Sequence, residues 1–261
     1  TFEKFVLQYQ KQYATEELSL RKETFERNLA EIEKHNARFD SSYQMGVNQF
    51  SDLSSEEFAK FLGRKGSKLA LPAEKTMLRG TGEYPPSVDW RTKGVISPVK
   101  DQGGCGSCWA FASTANIESY VALSGAPLPV LAPQQLVSCD TNPQQCGGTG
   151  GCGGSIAELA YEYVQANGMV LEKDYPYTAK DSKCNQTAIA HPAATLSGHV
   201  RLIQNDYDSV MQALSTIGPL AVNVWAIPFQ SYRSGIFNGC SYKSAMDIDH
   251  VVQLVGYGTD S

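Results

Sequence analysis

Gln102-Gly103-Gly104-Cys105-Gly106-Ser107-Cys108-Trp109-Ala110-Phe111 places Cys108 behind a glycine turn, at the head of an apolar stretch of helical character. The start of a helix exposes unpaired backbone N–H groups and the positive end of the helix dipole. A thiolate there is stabilised, so the expected thiol pKa falls and Cys108 is a candidate nucleophile. A candidate partner, His250, stands 142 residues downstream in Asp249-His250-Val251. Cys105 and Cys108 also form a Cys-x-x-Cys pair, which suits redox chemistry or half of a zinc site. The other cysteines, at 139, 146, 152, 184 and 240, supply no second such pair. A thioredoxin-like reading needs a small βαβ context, which Gln102 and the distant Asp249-His250 do not match.

The elements around these residues fall into two parts. Residues 1–83 carry 13 Lys/Arg and 13 Asp/Glu, whereas residues 84–261 carry 9 and 14, so the net charge of −5 resides in the second part. With no basic patch, nucleic acid is excluded as an expected partner. No run of eighteen apolar residues is present, so no membrane-spanning helix is expected. Hydrophobic residues at 42% suffice for a core. Seven cysteines and the acceptor triplet Asn185-Gln186-Thr187 point to an oxidising compartment, with Asn185 a candidate glycosylation site.

The first sixty residues read as helical. Phe2, Phe5, Tyr9 and Tyr13 follow one helical face. A second helix is expected from about Thr15, as N-cap, to about Phe39. Glu17, Arg21, Phe25, Asn28, Ile32 and Asn36 form one stripe along it. Polar residues interleaved with Phe25 and Ile32 suggest a helix tied to its neighbours through a polar network. From Leu62 to Glu83 the chain is rich in Gly, Lys and Pro and reads as a linker. Tyr84-Pro85-Pro86 opens the next domain.

Cys105-Gly106-Ser107-Cys108-Trp109 with a histidine 142 residues later resembles the papain and cathepsin signature. The stripe from Glu17 to Asn36 is similar to the propeptide motif of cathepsin L-like proteases. Gly46, Asn48, Phe50 and Asp52 match a second propeptide motif. The resemblance implies a cysteine endopeptidase made as a proenzyme. It implies an α+β, papain-like two-lobed fold, with a helical lobe carrying Cys108 and a β-barrel-like lobe of strands from about Leu196 carrying His250. The implied domains are a helical inhibitory propeptide at 1–61, a linker through the cleft at 62–83 and a peptidase domain at 84–261. In such a linker the peptide runs opposite to a substrate, so no bond is aligned for attack.

The resemblance also assigns roles. Cys108 and His250 would form a thiolate–imidazolium pair, with Asp249 as a modulator. The Gln102 amide and the Cys108 N–H would stabilise the oxyanion. Disulfides Cys105–Cys152 and Cys139–Cys184 are implied; Cys146 and Cys240 have no assigned partner. Gly106, Gly153 and Gly154 would contact extended substrate through backbone. Ile156, Ala157, Asn223, Ile248 and Val251 would line a mostly apolar pocket for the P2 side chain. The family's orienting asparagine, in Asn-Ser-Trp, does not occur in these 261 residues, so the expectation is a C-terminally truncated record of an active enzyme. No metal or organic cofactor is implied. Expected partners are polypeptide substrates, the chain's own propeptide and cystatin-like inhibitors, with a monomeric state and a lysosomal, vacuolar or secreted location. Two rival readings are a stand-alone protease inhibitor and a thiol oxidoreductase using Cys105 and Cys108.

Overall fold

In the computed structural model, residues 1–63, 82–240 and 248–259 are described. Most of the expected linker, and the start of the β-like run Met246–His250, lie outside them. The elements in chain order are α1 (Phe2–Gln8), α2 (Thr15–Asn36), β1 (Tyr43–Met45), α3 (Ser55–Phe58), β2 (Val88–Asp89), α4 (Cys108–Leu123), α5 (Pro133–Cys139), α6 (Ala157–Asn167), α7 (Tyr207–Thr216), β3 (Leu220–Val224), β4 (Tyr232–Gly235), β5 (His250–Leu254) and β6 (Gly256–Tyr257). They divide into two compact units: Thr1–Phe61 with Trp225–Asp247, and Leu62–Val224 with Ile248–Ser261.

In the first unit, Phe2 and Phe5 of α1 are buried against Phe25 of α2, with ring centroids 5.6 and 4.7 Å apart. α1 ends sooner than the aromatic spacing suggests. Tyr9 is its C-cap and Tyr13 lies beyond it, yet the Tyr13 ring still stacks on Phe2 at 6.0 Å. Thr15 is not a cap: it is the first helical residue of α2, behind Ala14, which makes no side-chain capping bond. The polar stripe of α2 reaches out to backbone and carboxylates. Arg21 donates to both oxygens of Glu57, at 2.9 and 2.8 Å. Asn28 Nδ2 donates to the carbonyls of Ser51 and Leu53, each at 2.9 Å. Asn36 exchanges two bonds with the backbone of Met45. Buried Asp52 accepts from Tyr13 and Lys11. Within the same unit β1 pairs antiparallel with β4, and Asn48 Nδ2 donates to the Gln230 carbonyl at 2.6 Å.

The second unit is built on α4. Ala110, Ala112, Ser113 and Thr114 are buried on it, and such small side chains let neighbours approach closely. α5 and α6 pack on α4, as does the antiparallel pair β3–β5. Trp109, Ile117, Leu131, Leu136, Val164, Met169 and Val251 join one core. Glu118, fully buried on α4, is matched by the ammonium of Lys100, the hydroxyl of Ser97 and the N–H of Leu131. A buried charge without such partners would cost several kcal/mol. The strands start later than Leu196: β3 begins at Leu220. Between them Gly198 takes φ +154°, outside the range of L-residues in strands, and α7 intervenes.

The Arg21–Glu57 pair has a pH consequence. Hydrogen bonds from Arg21, then from the Ser54 backbone, hold the Glu57 carboxyl below its usual range. A depressed folded-state pKa gives stability that is present above the unfolded carboxylate value and lost as pH falls through the folded one. Thermal unfolding of the full chain should therefore show a falling midpoint between about pH 5 and about pH 3. Glu57→Gln should lower the midpoint at neutral pH and shrink that fall; an unchanged acid limb would show that other carboxylates carry it.

Candidate active site

The turn before α4 is held by backbone as well as by a disulfide. Cys105 is bonded to Cys152, and the Gly106 N–H donates to the Cys152 carbonyl at 3.1 Å. A Cβ on Gly106 would meet that carbonyl at 2.5 Å, so only glycine allows the approach. Trp109 Nε1 donates to the Gly151 carbonyl at 3.1 Å. Together these fix the first turn of α4 against the segment Gly151-Cys152-Gly153-Gly154-Ser155. Cys108, the first helical residue, is 1% exposed.

His250 opens β5, opposite Val224 on β3. The next residue, Val251, joins Cys108 in one core where α4 packs on β5, and the backbone N–H groups of Val251, Gly63 and Trp109 face the sulfur. The structure thus brings the cysteine and the start of the histidine-bearing strand together. Gln102 Nε2 donates to the Cys105 carbonyl at 2.9 Å, folding the Gln102 side chain over the same turn.

The electrostatics differ from the expected lowered thiol pKa. Burial pushes the Cys108 thiol up to about 11, and the charge of Asp249 adds to the rise; the three N–H groups oppose it without overcoming it. Burial lowers His250 to about 4. Its Nδ1 is buried with no hydrogen-bond partner among the described residues. Helix-end stabilisation of a thiolate is real but smaller than the cost of removing the charge from water. At neutral pH this state therefore holds a neutral thiol and a neutral imidazole.

Gly63, which sequence reading placed inside the linker, also borders the sulfur. Its N–H faces the sulfur, and its carbonyl accepts from the Ser155 N–H at 3.2 Å. A Cβ at Gly63 would lie 1.8 Å from the Gly106 carbonyl oxygen.

The remaining candidates are distributed around this turn. Gly154 and Ile156 are buried, and Ala157 begins α6. Val251 is in the core, with Asn223 opposite it on β3 and exposed. Ile248 and Asp249 precede β5, and the Asp249 N–H donates to the Val224 carbonyl at 3.2 Å. Gly153, but none of the other proposed substrate contacts, borders a cavity of about 510 Å³ lined also by Asp140 and Asp181. Cys139 is bonded to Cys184. Cys146 and Cys240 carry free thiols. Asn185 is exposed, its Oδ1 accepting from the N–H groups of Thr187 and Ala188. Among the described residues no cluster of His, Cys, Asp and Glu is arranged to hold a metal.

Comparison with known proteins fits this arrangement. Residues 84–261 match the papain family cysteine protease domain, and residues 2–58 match the cathepsin propeptide inhibitor domain. The chain is 39% identical over 265 residues to pro-cathepsin H of Bos taurus, covering 99% of this chain and 77% of that protein. It is 38% identical over 250 residues to a cathepsin L-like proteinase of Phaedon cochleariae, covering 94% and 75%. Among solved structures, the digestive procathepsin L2 proteinase from Tenebrio molitor larval midgut superposes with TM-score 0.87 at 33% identity, over 99% of this chain and 85% of that one. The recombinant stem bromelain precursor gives 0.85 at 32% identity, over 100% and 82%.

Gly63 supplies a direct test of the covered cysteine. In the intact chain Cys108 should react slowly with iodoacetamide. Gly63→Ala should lift the segment off Gly106 and speed labelling of Cys108 by at least about 10-fold, the ratio expected for about 1.4 kcal/mol of lost closure. Mass spectrometry of the labelled peptide checks this, and an unchanged rate would mean that the added methyl group is accommodated.

Proposed function

The chain belongs to the papain family of cysteine proteases, and we propose that it is the proenzyme of an endopeptidase whose nucleophile is Cys108 and whose general acid and base is His250. The observation that carries this reading is the packing of α4 on β5, which brings Cys108 into one core with Val251, one residue past His250. The chain is a cysteine-type peptidase with its own inhibitory propeptide domain.

Departure of the segment around Gly63 readmits water, which removes the main cause of the raised thiol and lowered imidazole pKa values. The proton then moves from Cys108 to His250, giving the thiolate–imidazolium pair. The thiolate attacks the scissile carbonyl carbon, and the carbonyl oxygen becomes an oxyanion. The Gln102 amide and the Cys108 N–H donate to it, an interaction realised only as charge develops. Collapse breaks the C–N bond while His250 protonates the leaving amine. Water, deprotonated by His250, then cleaves the thioester and restores Cys108. His250 Nδ1 is the atom at which a group orienting the ring must act, because an imidazole held in one tautomer is what both proton transfers need.

The same reading extends to the cleft. The Ser155 N–H bonded to the Gly63 carbonyl is the donor an extended substrate would use. Ile156, Ala157, Ile248 and Val251 favour an apolar P2 side chain, with Asn223 at the rim. Polypeptides are the substrates. The two disulfides fit a lysosomal, vacuolar or secreted setting, where cystatin-like proteins would be natural inhibitors of a monomeric enzyme. A dithiol oxidoreductase is disfavoured because Cys105 is bonded to Cys152 and not to Cys108. A purely inhibitory protein would have no use for the peptidase domain.

After propeptide removal, a peptidyl epoxide should modify Cys108 and no other cysteine. Cys108→Ala should abolish turnover, and Gln102→Ala should lower kcat by about 10²–10³. In a peptide panel Leu, Phe or Val at P2 should exceed Lys in kcat/KM. Labelling at another thiol would remove Cys108 from the mechanism, and a preference for Lys would overturn the pocket assignment.

A further inference from the structure

Tyr177 was not singled out by its sequence context, yet its hydroxyl touches two parts of the nucleophile turn. It donates to the Gln102 carbonyl at 2.7 Å and lies 2.6 Å from Ser107 Oγ. A phenol has one proton, and the Gln102 carbonyl can only accept. The bond with Ser107 therefore runs from the serine hydroxyl to the tyrosine oxygen. The result is a directed chain, Ser107 O–H to Tyr177 O–H to Gln102 C=O. Ser107 Oγ has one further acceptor in the Cys105 carbonyl, at a longer 3.4 Å.

The geometry around this chain is specific. Ser107 is the N-cap of α4, a position at which serine ordinarily accepts a backbone N–H of the first turn. Here its side chain makes no capping bond. The hydroxyl is turned to Tyr177 instead, and the Trp109 N–H is directed at the Cys108 sulfur. Tyr177 is itself held at two other points. Its N–H donates to Glu172 Oε1 at 2.8 Å, and its ring meets Phe111 of α4 edge-on, with centroids 4.7 Å apart and planes at 87°. Phe111 lies three residues beyond Cys108 on the same helix. One side chain thus references the Gln102 backbone to the start of α4.

We infer that Tyr177 is a positioning residue for oxyanion stabilisation, its hydroxyl fixing the Gln102 side chain relative to the Cys108 N–H through the Gln102 carbonyl and Ser107 Oγ. This rests on the reading of Gln102 and the Cys108 N–H as the oxyanion donors. Donors of this kind act only when held in advance at the place where charge appears, and a hydrogen-bonded chain of aligned hydroxyls strengthens each link. The Phe111 contact alone would keep the ring in place but leave the Gln102 backbone free to drift.

The test compares Tyr177→Phe with Gln102→Ala and with Tyr175→Phe in the enzyme after propeptide removal. Tyr175 also loses two hydrogen bonds when its hydroxyl is removed, to Lys183 and Asn185, neither of which bonds to the Gln102–Cys108 turn. Tyr177→Phe should lower kcat by about 10-fold with KM unchanged, the ratio for one well-formed hydrogen bond. It should weaken a peptide aldehyde, whose adduct carries an oxyanion, by a similar factor. Iodoacetamide, which forms none, should alkylate Cys108 at the parent rate. Tyr175→Phe should change none of these. Ser107→Ala, which cuts the chain at its other end, should shift kcat and aldehyde affinity in the same direction, and it stands in if Tyr177→Phe fails to fold. A loss in Gln102→Ala with none in Tyr177→Phe or Ser107→Ala would overturn the inference while leaving the oxyanion reading intact. No loss in Gln102→Ala would remove that reading and the inference with it. An equal loss of alkylation rate and aldehyde affinity would also overturn it, by showing general loosening.

Discussion

The close approach of Gly106 to the Cys152 carbonyl governs where Cys108 stands. The disulfide of Cys105 brings the two segments near, but the backbone bond at 3.1 Å and the absence of room for a Cβ set the last ångström. Everything that later acts on the sulfur is measured from this contact. The Ser155 N–H lies three residues past Cys152, and the indole of Trp109 is anchored to Gly151, one residue before it. Gln102 folds back onto the Cys105 carbonyl from the other side. A side chain at Gly106 would displace all of these together. Such a change would be damaging well beyond its own steric cost, because interactions sharing one reference point are not additive.

Burial at this point creates a conflict between stability and reactivity. α4 is buried along nearly its whole length because it carries the core of its unit. A nucleophile on it, as proposed for Cys108, must be reachable from water at one end, and Gly63 stands beside that end, against Gly106 and Ser155. The thiol at about 11 and the imidazole at about 4 are two expressions of one cause. If Cys108 is the nucleophile, as proposed, latency is electrostatic as well as steric: a substrate that reached the sulfur would meet a thiol, not a thiolate.

Much of this was readable in the residues. Cys108 at a helix start and the Glu17–Asn36 stripe as a polar tie rest on local chemistry and short spaced motifs, and the cysteine pairing rests on the family resemblance; none of these needs knowledge of tertiary contacts. What escaped depended on contacts far apart in sequence. Gly63 and Gly106 are ordinary loop glycines until the backbones meet. Tyr177 stands 75 residues from Gln102, and nothing near it announces the bond. The raised thiol pKa of the closed state is not legible in the sequence, because a helix end is visible there and burial is not. Thr15 looked like a cap because threonine favours that place, but Ala14 already sits at the N-cap with extended backbone, and Thr15 is carried into the first turn.

The two pKa effects on the proenzyme also combine, although they act in separate units. His250 is lowered from its usual 6.5 to about 4 by burial. A state in which it is hydrated binds a proton more readily, so the closed state loses relative stability as pH falls through the window between those values. Glu57 is held low by Arg21, so its contribution to the first unit is lost as pH falls from the ordinary carboxylate value through the depressed one. On the proposed reading, acid thus begins to act on His250 at a higher pH than on this polar tie. Cys108 acts differently: with its thiol at about 11 it is neutral across this whole range, and acid does not change its charge in the closed state. On the proposed reading, the pH dependence of opening therefore falls to His250, and the thiol ionises only after water has returned to it.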